Sequence, residues 1–330
     1  MLISKALYNS VLDAGGVPTL MFQSVKTQLD FAEPAVIKAI ESNPEITISL
    51  SHQKLGKDTE RIKSPIKVGE KKYDHIFHYL LGEKKMRSFW SPGVTLEMFK
   101  KTVPIDYSEL RHKASSLKTI LDDAESVHIT TAAGTNIDIG LRGRSTKCDD
   151  GDFSKPGAGG NLPCGEVFIS PELGRAEGTI VFDGSISSAE GAILIKTPIT
   201  VQVKEGFCAE PAGGEEAEEL KSTLLKAEET TRTFEAEGKL PSSELDSYLK
   251  NIYHLGELGI GLNPAAEIVG NILEDEKVFR TCHIAVGSNY DEDANALTHL
   301  DGLIYNPTMV VKRSDSSELE FMKDGKLVNL

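Results

Sequence analysis

Residues 282–290 read CHIAVGSNY and residues 298–301 read THLD. In the first stretch Cys282, Ile284 and Val286 alternate with His283 and Ala285, the pattern of a strand with one apolar face. His283 then projects from the other face, beside a small alanine, before Gly287 ends the strand and Tyr290 follows in a loop. In the second stretch His299 and Asp301 flank Leu300. Side chains two apart on a strand share a face, with Cα atoms roughly 6.5–7 Å apart. His299 and Asp301 can therefore converge on one ion while Leu300 packs into the core.

Two glutamates extend this polar set. Glu166 lies in GNLPCGEVFISPE, between a Gly/Pro loop and an apolar strand start, and Glu257 lies in HLGELGIGLNP among Leu255, Leu258 and Ile260. A carboxylate in apolar company is costly unless paired, hydrogen-bonded or metal-bound. The plain alternative is a salt bridge to a nearby arginine, Arg142 or Arg144. Three carboxylates with two histidines could instead hold a pair of divalent ions, and mixed O/N donors suit Zn²⁺, Mn²⁺ or Co²⁺.

The rest of the chain frames these residues. The first hundred residues alternate helix and strand patterns: a helix over 2–13, a short strand near 17–22, a helix opened by Pro34, the strand EITISLS and another near KMRSFW. This is the rhythm of an open parallel α/β sheet. Such sheets usually begin with a strand, so a chain that opens on a helix implies an absent strand or a true start further upstream. PIDYSELRHKASSLKTILDDA is a helix with Asp106 as N-cap, and the boundary between domains is placed there, at 1–105 and 106–330. Beyond it, SVHITT, TNIDIGLRG, GEVFIS, AEGTIVFDGS and AILIKTPITVQVKEG predict a second, α+β domain of mixed, largely antiparallel strands that carries the metal-ligand candidates. The stretch 212–255, with the acidic helical segment GGEEAEELKSTLLKAEETTRTFEAEG and a shorter helix after Pro241, interrupts the strands.

Composition narrows the partners. The 330 residues carry a net charge of −14, with 39% hydrophobic and 26% charged residues. Nucleic acid and anionic membranes need clustered Lys and Arg, so neither is expected. Cys148, Cys164, Cys208 and Cys282 form no C-x-x-C pair, and a reduced cytoplasmic setting is expected. No secretory leader and no apolar run of about 18 residues is visible. GAGGNLPCG (157–165) leads into a strand, not a helix N-terminus, so it is no phosphate cradle. His75 and His78 in HIFHY read as a surface or core pair.

The segments NLPCGEVFISP, LGELGIGLNP, HIAVGSNYD and THLDGLI, in this order, resemble those of the thermophilic-type metallo-aminopeptidases, the aminopeptidase T family of M29 peptidases. WSPGVTLEMFKK, IDYSEL and TTAAGTNIDIGLRGR resemble the stretch preceding that family's site. The resemblance covers roughly residues 90–330. It implies a two-domain, commonly dimeric α/β protein, with two divalent ions held by Glu166, Glu257, His283, His299 and Asp301, and Tyr290 and Glu166 taking part in catalysis. Glu257 or another carboxylate is expected to bridge the ions. The chain departs from the family in its shorter N-terminal end, the acidic segment between Glu166 and Glu257, and a short loop between His283 and His299; loops near the site shape the substrate pocket.

Three functions follow as expectations. The first is release of N-terminal residues from small peptides. The second, carried by similarity to 2,5-dihydroxypyridine 5,6-dioxygenases, is ring cleavage of a small molecule by one Fe(II) on His283, His299 and Asp301. The third is a non-catalytic family member, which predicts weak or no metal binding. A homo-oligomer, dimer or higher, is expected throughout.

Overall fold

In this computed structural model, residues 1–26 and 30–330 are described. The chain divides into two compact units, Met1–Pro104 with Gly151–Cys164, and Ile105–Asp150 with Gly165–Leu330.

The first unit is built on a parallel three-stranded sheet, Ile46–Ser49, Arg87–Trp90 and Gly159–Asn161 in that spatial order. Helix Pro34–Glu41 starts at its proline, as its sequence predicts, and buries Ile37 and Ile40. These join Ile76, Phe77, Leu80 and Met86 in one core. The strand expected near 17–22 does not form. Pro18 offers no N–H to a ladder, and Val17 and Phe22 are 96% and 66% exposed, so no neighbouring strand covers them. His75 is a helix cap: its Nδ1 accepts from the Phe77 N–H at 3.0 Å, while Nε2 lies 3.0 Å from the Gly56 carbonyl.

The second unit stacks two sheets, one of eight strands and one of seven. Its entry helix, Tyr107–Asp122, begins where Asp106 accepts from the Ser108 and Glu109 N–H groups. Leu110, Ala114, Leu117 and Leu121 form its buried stripe, and it packs on strands Lys147–Asp149 and Glu166–Ile169. The acidic segment is the helix Glu215–Ala236, with Leu220, Leu224 and Ala227 inward and its charges mostly outward.

The seven-stranded sheet positions the site. Its central order is Ser185–Ser188, His299–Tyr305, Thr281–Gly287, Leu255–Gly261, Glu166–Ile169 and Lys147–Asp149, all antiparallel. Register decides which side chains share a face. Gly259 pairs with His283 and Phe168, Glu257 with Ala285, Ala285 with Asp301, Gly287 with His299, and Gly261 with Glu166. Glu166, Glu257, His283, His299 and Asp301 therefore project from one face. The opposite face carries Val167, Ile169, Leu258, Ile260, Cys282, Ile284 and Val286, all at most 1% exposed. Full burial of each such aliphatic side chain is worth about 1.5–3 kcal/mol, which anchors the register. Between Leu255 and Glu257 the pairing slips by one residue, and Gly256 is left out of the ladder.

Candidate metal centre

The five side chains expected from the sequence are brought together. Glu257 Oε1 lies 3.0 Å from His283 Nε2, and Glu257 Oε2 lies 3.5 Å from His299 Nε2. Glu166 Oε2 approaches His283 Nε2 to 3.4 Å, and Asp301 Oδ1 approaches His299 Nε2 to 3.2 Å. Among the described residues the donors fall into two groups, Glu166–Glu257–His283 and Glu257–His299–Asp301, with Glu257 common to both.

These spacings fit divalent ions. Bonds of about 2.0–2.2 Å in a tetrahedral shell put neighbouring donors about 3.3–3.6 Å apart. Glu166 Oε2, Glu257 Oε2 and Asp301 Oδ1 are buried without a hydrogen-bond partner, a state that costs free energy until a cation or proton satisfies them. His299 Nδ1 donates to the Ser288 carbonyl at 2.8 Å, which leaves Nε2 directed at the carboxylates.

Electrostatics in the metal-free chain follow from the same crowding. Burial opposes the imidazolium of His283, but the hydrogen bond to Glu257 and the charge of Glu166 prevail and raise its pKa to about 9. His299 is likewise raised against burial to about 10, by Asp301 and then Glu257. Burial pushes Glu257 up. For Asp301 burial is outweighed by His299 and His283, and its carboxyl falls to about 2. Protons stand in for cations here, so the site is built around positive charge.

Tyr290 leans on the site. Its ring centroid lies 5.1 Å from that of His299 and 5.2 Å from that of Phe168. The residue as a whole is 54% exposed, yet burial around the hydroxyl and the carboxylates of Glu257 and Asp301 raise its pKa, so the phenol stays protonated. Its loop is tied back by Arg144, 3.2 Å from Asp291 and 2.8 Å from Asp293, and by Lys147, which donates to the Tyr290 carbonyl at 2.8 Å.

Arg142 and Arg144 are not the partners of Glu166. Arg142 pairs with Glu125 at 3.0 Å, and Arg144 holds the Tyr290 loop. The cation beside Glu166 is Lys277, at 2.6 Å from Oε1. Lys277 also lies 2.6 Å from Glu276 and 3.4 Å from Asp149, and burial raises the carboxyls of these two to about 8 and about 7. Sequence reading passed over Lys277 and Asp149. EDEK looks like a solvated charge run, and the available signal was its place directly before the strand that carries His283.

A mixed α/β scaffold with a face of buried carboxylates and imidazoles defines a metalloenzyme-like framework. Residues 95–286 match the family model for NicX, 2,5-dihydroxypyridine 5,6-dioxygenase, and the chain belongs to that family. The 2,5-dihydroxypyridine 5,6-dioxygenase of Pseudomonas putida KT2440 is 24% identical over 179 residues, 54% of this chain. That alignment spans 45% of the relative's own length, less than half of it. The solved structure of 2,5-dihydroxypyridine dioxygenase from Pseudomonas putida KT2440 superposes with a TM-score of 0.64 at 18% identity, covering 96% of this chain and 83% of that one. Wild-type AmpT from Thermus thermophilus superposes with a TM-score of 0.57 at 16% identity, covering 89% and 79%. The fold is thus shared with both of the protein types that the sequence motifs resemble. Among the described residues, no helix is long and apolar enough to cross a membrane.

Proposed function

We propose that this chain is a metal-dependent hydrolase of the aminopeptidase type, in which Glu166, Glu257, His283, His299 and Asp301 would hold two divalent ions, Zn²⁺, Co²⁺ or Mn²⁺, with Glu257 common to both donor groups. The observation that carries this reading is the two-sided reach of Glu257, one oxygen toward His283 and the other toward His299. Family membership supplies the scaffold; the donor set argues the chemistry.

The donor set supports the pair. Glu166, Glu257 and Asp301 are buried carboxylates in two groups that share Glu257, while Asp149 and Glu276 surround Lys277. When bound, the ions would polarise a carbonyl and lower the pKa of water. The protein's own groups would do the rest. Tyr290, protonated and seated against His299, can donate to the oxyanion formed at the substrate carbonyl. Glu166, with Oε2 unpartnered beside His283, would help hold an ion, and a carboxylate of the site would anchor the free amine. A small peptide is the substrate class.

A second reading places one Fe(II) on His283, His299 and Asp301 and makes the chain a ring-cleaving dioxygenase. The family match and the names of the Pseudomonas putida relatives favour it. Against it, His283 and the His299–Asp301 pair fall in separate donor groups, each completed by Glu257. Equilibrium dialysis with elemental analysis, paired with a panel of short peptides and with oxygen uptake on dihydroxypyridines, separates the two. Two non-redox ions per chain with release of N-terminal residues is the expected result. One iron with oxygen consumption would replace the first reading by the second.

A further inference from the structure

Lys277 is 0% exposed, although it follows the acidic stretch Glu274–Glu276. Its backbone is fixed: the Lys277 N–H donates to the Glu274 carbonyl at 3.0 Å, and its own carbonyl accepts from Asn263 N–H at 2.8 Å. The turn lies across Gly261, where a methyl group would meet the Val278 carbonyl at 2.0 Å, and Gly261 is the residue paired with Glu166. The ammonium is thereby delivered to Glu166.

The two oxygens of Glu166 have different surroundings. Oε1 is 2.6 Å from Lys277 Nζ, whereas Oε2 has no hydrogen-bond partner and faces His283 Nε2 at 3.4 Å. Asp149 and Glu276, which complete the surroundings of the ammonium, belong to neither donor group. They hold Lys277 rather than an ion. An uncompensated ammonium at this depth would be very costly, so the three carboxylates and the lysine form one unit.

We infer that Lys277 is a positioning residue for the metal centre: it holds Glu166 by Oε1, so that Glu166 meets an ion through Oε2 alone. The inference rests on the metal-centre reading but not on the number of ions. A carboxylate with both oxygens free can rotate or chelate; one gripped by an ammonium cannot. Lys277 also places a positive charge behind Glu166, which tempers the pull of the donor set on a dication.

The test compares wild-type protein and Lys277→Met, which keeps the length and apolar bulk of the side chain. Both are stripped of metal and titrated with Co²⁺, followed by dialysis and visible absorption. Loss of an outer partner of a ligand typically lowers affinity by about 10–100-fold, and a loss of at least about tenfold is expected here. A weaker visible band, the mark of a higher coordination number, should accompany it. The melting temperature of the metal-free proteins reports packing separately. Equal Co²⁺ affinity and an unchanged spectrum would overturn the positioning role. Should Lys277→Met fail to fold, a crystal structure of Co²⁺-loaded wild type decides: Glu166 bound through one oxygen with the other on Lys277 supports the role, and chelation through both oxygens refutes it. A wild-type protein that takes up no divalent ion overturns the metal-centre reading itself, and this inference with it.

Discussion

Gly259 sits directly across the strand pair from His283, and a methyl group at position 259 would lie 1.9 Å from His283 Nε2. The imidazole thus occupies the space a side chain would take. Gly259→Ala should displace the ring from Glu257 and Glu166. The expected cost is about 1–3 kcal/mol of stability from overpacking, together with loss of tight metal binding, read by urea denaturation and Co²⁺ titration. A variant that retains wild-type affinity would show that His283 is not a ligand.

Glu257→Gln keeps the shape and removes the charge. Because Glu257 belongs to both donor groups, its loss should weaken both ions together. Outer partners alone are worth about 10–100-fold, so a shared ligand should cost at least about a hundredfold. Dialysis that finds one ion unaffected would argue against a bridge.

Tyr290→Phe retains the ring against Phe168 and His299 and deletes the hydroxyl. Removing one donor to an oxyanion typically lowers turnover about 10²–10³-fold. The fall should lie in kcat, with metal content unchanged. A drop in metal content instead would move Tyr290 from chemistry to architecture.

Metal-free protein should lose stability as pH rises. Asp149 and Glu276, raised by burial to about 7 and about 8, and His283 and His299, raised to about 9 and about 10, all hold protons more tightly folded than unfolded. The carboxyl contributions are lost between about pH 4 and 8, and those of the imidazoles between about pH 6.5 and 10. Asp301 acts oppositely: its pKa of about 2 gives stability that is present above about pH 4 and is lost as pH falls through about 2. The melting temperature of the stripped protein should therefore decline from about pH 5 to pH 9. Metal-loaded protein should lack the part of this decline that comes from His283 and His299, since these donors are deprotonated by the ion. A flat profile without metal would contradict the crowding of charges described above.

Much of this site was legible because strands alternate. His283, His299 and Asp301 could be placed from period-two patterns, and Glu166 and Glu257 from the improbability of a carboxylate among Leu, Ile and Val. Asp106 was legible as a cap because the chemistry of helix starts is local. What could not be read depends on contacts far apart in sequence. Lys277 meets Glu166 only because a turn crosses Gly261, and no local pattern records that crossing. Arg142 and Arg144 were near Glu166 in sequence but found other carboxylates. Residues 17–22 had strand-like composition, but a strand exists only where a second one pairs with it.

At Gly256 the chain carries one residue more than its neighbour can pair. The surplus returns Leu255 to the apolar side, opposite Val286, although it stands two positions from Glu257. It also admits a foreign backbone: a methyl group at 256 would lie 2.3 Å from the Ser288 carbonyl oxygen, the same oxygen that takes the Nδ1 proton of His299. The tautomer of a histidine two strands away is thus governed by the absence of a side chain. Replacing that glycine would alter no donor, yet would turn His299 from its aim, so competence to bind an ion here is as much a property of spacing as of chemistry.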